Sequence, residues 1–115
     1  MPLKLLTRFM ASDRLQNFPT ETSKDILLEL AASSSAIDEL LKELCGKAIG
    51  QDQIDGLRIL LENNEIAHFR PSGNAPELRC YAESASQERS DMLVRECLRR
   101  MNSRSSLRHL PKDEK

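Results

Sequence analysis

The chain has no long apolar run, no excess of basic residues, no paired cysteines and no cluster of acids. Each absence removes a class of function. No stretch approaches the roughly 20 apolar residues that a membrane-spanning helix needs. Met1-Pro2-Leu3-Lys4-Leu5-Leu6 is too short for a secretory leader and lacks a small-residue cleavage site. Seventeen basic residues against 18 acidic ones give a formal charge of −1. A nucleic-acid binder normally shows a basic excess, so that class is excluded. Cys45, Cys80 and Cys97 are odd in number and show no CxxC spacing. They form neither a disulfide framework nor a zinc site, and they point to inert core thiols in a reducing cytoplasm. Asp13, Asp52 and Asp55 are not spaced as metal ligands, and His68 and His109 stand alone. His68 is read as a decoration of a polar sheet face, not as a catalytic group.

What remains is the composition of one small soluble domain. The 115 residues are 39% hydrophobic and 30% charged, enough for one modest core. Residues 1–19 carry no sustained helical period and are read as a hinge or linker. Within them Arg14-Leu15-Gln16-Asn17-Phe18 alternates like a short strand, ended by Pro19. The domain proper is placed at 20–102, and the Ser-, Arg- and Lys-rich residues 103–115 read as a disordered tail.

Thr22 or Ser23 is the expected cap of a first helix running to about Ala32, with Ile26, Leu27 and Leu30 on one face. Ser33-Ser34-Ser35 interrupts it. A second helix carries Ile37, Leu40, Leu41 and Leu44 and is expected to stop at Gly46. The period then changes. Leu57 and Ile59 alternate with Arg58; Ala67 and Phe69 with His68 and Arg70; Leu78, Cys80 and Ala82 with Arg79, Tyr81 and Glu83. Three strands result, each with one apolar and one polar face, and Asn63-Asn64 suits the tight turn between the first two. Ser84 and Gln87 suggest a capping box for a last helix buried through Met92 or Leu93, Cys97, Leu98 and Met101. Helices, then strands, then a helix give an α+β domain.

Chemistry concentrates in Arg70-Pro71-Ser72-Gly73-Asn74-Ala75-Pro76-Glu77-Leu78-Arg79. Two prolines stiffen the loop. Gly73 and Asn74 tolerate backbone angles that let consecutive N–H groups converge on an anion. Ser72 and Asn74 add side-chain donors, and Arg70 and Arg79 flank the loop with paired donors that match phosphate oxygens. The same composition also fits an ordinary β-turn with arginines in surface ion pairs, Glu77 or Glu83 serving Arg79, while Arg70 has no evident local partner.

This decapeptide resembles the phosphate-binding loop in the C-terminal domain of the α-D-phosphohexomutases, the superfamily of phosphomannomutases and phosphoglucomutases. Asp55-Gly56-Leu57-Arg58-Ile59 is similar to the strand that leads into that family's hairpin, and Tyr81-Ala82-Glu83 to the strand after its loop. Asn74-Ala75-Pro76 stands where many members carry Thr-Glu-Pro, which keeps a hydrogen-bonding side chain at Asn74 and loses the acid at Ala75. The resemblance implies an antiparallel sheet of about four strands with helices on one face, like the TATA-box-binding protein. It implies a domain that binds substrate phosphate through Arg70, Ser72, Gly73, Asn74 and Arg79, with no catalytic residue and no metal of its own. The family's phosphoserine, magnesium and sugar-recognition loops are not among these 115 residues; magnesium is expected in upstream domains, which with a mannose or glucose phosphate are the implied partners. The alternative is a stand-alone anion-binding or protein-interaction module.

Overall fold

A computed structural model describes residues 8–108, with side chains through residue 105. Eight elements follow in order: β1 (Phe9–Gln16), α1 (Thr20–Ala31), α2 (Ser34–Leu40), β2 (Ala48–Asp52), β3 (Leu57–Leu61), β4 (Ile66–Pro71), β5 (Glu77–Ser84) and α3 (Gln87–Arg108). The strands form one antiparallel sheet in the order β1-β5-β4-β3-β2. The fold is α+β as expected, with five strands where about four were expected. The added strand, β2, lies at an edge, has no buried residue and slips register between Ala48 and Gly50.

The alternation of the three inner strands does what period two requires. Leu57, Ile59, Ala67, Phe69, Leu78 and Cys80 are wholly inaccessible to solvent. They form one core with Ile26, Leu30, Ile37, Leu41, Leu93, Cys97 and Met101 of the helical layer. The opposite polar face of the same strands carries Arg58, His68, Arg70, Arg79, Tyr81 and Glu83. Burial and the neighbouring Cys97 push the Cys45 thiol up to about 12. A hydrogen bond to Cys97 and burial also raise Cys80. Cys80 and Cys97 are buried in the core and Cys45 is half-buried against it; the raised values disfavour a reactive thiolate at Cys45 and Cys80.

Element ends depart from the expectations. α1 starts at Thr20 after Pro19, whose carbonyl accepts from the Ser23 N–H at 3.0 Å; Ser23 is buried inside the helix and does not cap it. α2 is capped by Ser33, whose hydroxyl accepts from the Ala36 N–H. The chain leaves it through Glu43 in the left-handed region, not at Gly46. Asn64 takes a positive φ of 68° in the β3–β4 turn, in keeping with its residue type. The Ser84–Gln87 box does not form. The Ser86 hydroxyl accepts from the Arg89 N–H, and the Gln87 amide donates instead to the Met10 carbonyl and Asp91. Residues 103–108 continue α3, where a disordered tail was expected, and His109 lies outside the described residues.

One ion pair ties the layers together. Arg89 donates to both oxygens of buried Glu65 at 2.8 and 2.9 Å, and to the Leu44 carbonyl at 2.7 Å. Burial pushes the Glu65 carboxyl up, but hydrogen bonds from Arg89 and Asn63 outweigh it and hold the group below its usual value. Its stabilisation is therefore fully present above the pH at which an unfolded glutamate titrates, about 4.3. It is lost as pH falls through the lower folded value. Glu65→Gln is expected to cost about 1–2 kcal/mol near neutral pH. Its melting temperature should also fall less than the parent's between pH 6 and pH 3. Equal falls in thermal melts would assign the acid loss to other carboxylates.

Candidate phosphate-binding site

The loop between β4 and β5 is closed at its base and open at its tip. The Ser72 N–H donates to the Glu77 carbonyl at 2.9 Å, the Glu77 N–H to the Ala75 carbonyl at 2.8 Å, and the Phe18 N–H to the Pro76 carbonyl at 2.7 Å. The last bond anchors the loop to the connection between β1 and α1. Gly73 and Asn74 stand exposed, and a Cβ added at Gly73 would meet nothing within 4 Å. Neither residue takes the positive φ that their types allow. The Asn74 N–H donates to the Ser72 hydroxyl oxygen at a long 3.3 Å, so two groups assigned to an anion here engage one another.

The strand pairing brings the two flanking arginines together. Arg70 and Arg79 are direct cross-strand partners, and Arg14 of β1 lies opposite Arg79 on the other side. Three guanidinium groups thus occupy one row across adjacent strands, an arrangement that costs stability unless charge is compensated. Two carboxylates serve the row. Glu77 lies 3.7 Å from Arg14 and 3.9 Å from Arg79, and Asp55 lies 3.0 Å from Arg70. The positive side is left in surplus. A shallow hollow of about 310 Å³ opens beside the row, lined by Ser12, Asp13, Arg14, Arg79 and Tyr81.

Of the two acids, Glu77 and Glu83, that an ordinary-turn reading offers Arg79, the structure places Glu77 beside it. Sequence reasoning misses Arg14 and the Asp55 partner of Arg70. Asp55 sits in the turn between β2 and β3, directly before Gly56, and His68 meets its backbone carbonyl through Nε2. Glu83, the other acid considered for Arg79, pairs with Arg8 instead. His68 and Tyr81 rings lie 5.9 Å apart on the polar face. No group of three or more His, Cys, Asp or Glu residues capable of holding a metal occurs among the described residues. No helix there is long and apolar enough to cross a membrane.

Comparison with known proteins identifies the family. Residues 15–99 match the family described as phosphoglucomutase/phosphomannomutase, C-terminal domain. The chain is similar to a phosphomannomutase of Sinorhizobium fredii, 39% identical over 92 residues, covering 80% of this chain and 19% of the relative. It is also similar to a phosphomannomutase of Salmonella muenchen, 38% identical over 101 residues, covering 88% of this chain and 21% of the relative. The chain spans about a fifth of the length of these curated relatives.

Proposed function

The chain belongs to the phosphoglucomutase/phosphomannomutase family as a C-terminal domain, and from that premise we propose that it grips the non-reacting phosphate of a hexose phosphate. The substrate is a mannose or glucose phosphate, and the enzyme interconverts the 6- and 1-phosphates in the cytoplasm. The upstream domains supply the phosphoserine and magnesium. This domain supplies position, on which phosphoryl transfer chiefly depends. Closing over the substrate, it also shields the phosphoserine from water.

The observation that carries the reading is the paired Arg70–Arg79 row at the base of an open loop tip. A phosphate seated at the tip takes the Asn74 N–H and the Ser72 hydroxyl away from each other, and their weak 3.3 Å bond costs little to break. Arg70 then supplies a charge-assisted contact. Glu77 between Arg14 and Arg79 limits the surplus of positive charge when the loop is empty.

The chain alone lacks the groups that form and break phosphoryl bonds, so it is expected to turn over no mannose 1-phosphate. Mannose 6-phosphate should nonetheless shift the amide resonances of Ser72, Gly73 and Asn74 saturably. Turnover by the purified chain, or shifts confined to other residues, would refute this division of labour.

A further inference from the structure

We propose that Asp55 is a positioning residue for the phosphate site, holding the Arg70 guanidinium so that its paired Nη groups are presented to the anion. The inference rests on the phosphate-site reading given under Proposed function. Asp55 Oδ2 lies 3.0 Å from Arg70 Nε. That nitrogen is out of contact with solvent and makes no aligned hydrogen bond, so charge attraction holds this edge of the guanidinium. The Tyr81 ring lies 6.0 Å from Arg70 Cζ, at the outer reach of a cation–π contact. With the Asp55 carboxylate beside Nε, the edge left for a ligand is the one formed by the two Nη groups, which can bind phosphate oxygens in pairs.

The turn that carries Asp55 is itself pinned. Gly56 has φ +77°, and a Cβ there would lie 2.1 Å from the Phe69 carbonyl oxygen, so the turn rests directly on the β4 backbone next to Arg70. His68, two residues before Arg70 in β4, meets the Asp55 carbonyl through Nε2. The Ile54 N–H donates to the Asp52 carboxylate at 3.3 Å, closing the turn locally. An arginine loses much rotamer freedom when it binds. Ordering it beforehand lowers that cost.

The opposing electrostatic effect makes the inference testable by sign. A carboxylate beside Arg70 repels a dianionic phosphate, so an Asp55 that were only a competing counter-ion would weaken binding. The experiment titrates inorganic phosphate into the 115-residue chain and follows the Gly73 and Asn74 amides and the Arg70 Nε–H resonance. Asp55→Asn is expected to weaken phosphate about three- to fivefold, the scale of a partly exposed pair, and to speed exchange of the Arg70 Nε–H. Asp55→Glu keeps the charge but moves the carboxylate by one methylene, and should also weaken binding. In an Arg70→Ala background, Asp55→Asn should have no further effect.

Tighter binding by Asp55→Asn, or unchanged binding by Asp55→Glu, overturns the positioning role while leaving the phosphate site standing. An equal loss from Asp55→Asn with and without Arg70 overturns it too. Phosphate binding that ignores Arg70→Ala, or that the parent chain does not show, removes both the site and this inference.

Discussion

Arg70→Ala, made in the full-length enzyme, is expected to raise KM for a hexose phosphate about tenfold or more. A hydrogen bond to a charged group is worth about 1.5–3 kcal/mol. The Arg70 side chain is 41% exposed, which favours the lower end, and about 1.4 kcal/mol is already a factor of ten. On the proposed reading the lost contact grips a phosphate that does not react, so it acts equally on ground and transition states. The loss therefore falls mainly on KM, with kcat less affected.

Arg70→Lys should recover little of this affinity. A lysine ammonium cannot offer paired donors to phosphate, and it has no Nε edge for Asp55 to hold. Folding should survive either change, because breaking an exposed ion pair costs about 1 kcal/mol or less. A thermal melt run beside the kinetics separates a lost grip from a lost fold. Unchanged KM in a stably folded Arg70→Ala enzyme would reduce the Ser72–Pro76 loop to an ordinary turn.

What the sequence reveals about this site is local, and what it hides is relational. Arg70, Ser72, Gly73, Asn74 and Arg79 are close together in the chain, and their types point to the anion loop proposed above. Asp55 and Arg14 join them only through strand pairing: Arg14 because β1 lies beside β5, Asp55 because the turn leading into β3 folds back onto β4. Neither neighbour has a spacing signature. The same holds for the fold. β3, β4 and β5 are legible because their apolar positions alternate and are buried. β2 is not, since an edge strand with Ile49 61% exposed and a register slip beside Gly50 has no apolar period to read. Helix ends mislead where residue type is weighed without context. Ser23 has the right chemistry for a cap but faces the core, and it is the Ser86 hydroxyl, not that of Ser84, that accepts from a backbone N–H in the first turn of α3.

Gly56→Ala should be strongly destabilising, costing roughly 3 kcal/mol. Two independent constraints act there. The backbone sits at φ +77°, which disfavours any side chain. The added Cβ would also lie 2.1 Å from the Phe69 carbonyl oxygen and 3.1 Å from Arg70 Cα. Both atoms belong to the backbone of β4, which is hydrogen-bonded on both sides by β3 and β5 and cannot shift without disturbing two ladders. Gly73 is the internal control. Its φ is not positive and an added methyl would have nothing within 4 Å of it, so Gly73→Ala should leave stability within about 1 kcal/mol of the parent. That methyl still stands at the loop tip, where it should weaken phosphate. The two alanines thus exchange phenotypes: Gly56→Ala lowers the melting temperature by roughly 12 °C at this chain length, and Gly73→Ala lowers affinity in a domain that melts normally. Circular-dichroism melts of the two variants decide the matter. A Gly56→Ala midpoint within about 3 °C of the parent would mean that the turn is free to lift off β4, and it would take with it the basis for Asp55 reaching Arg70.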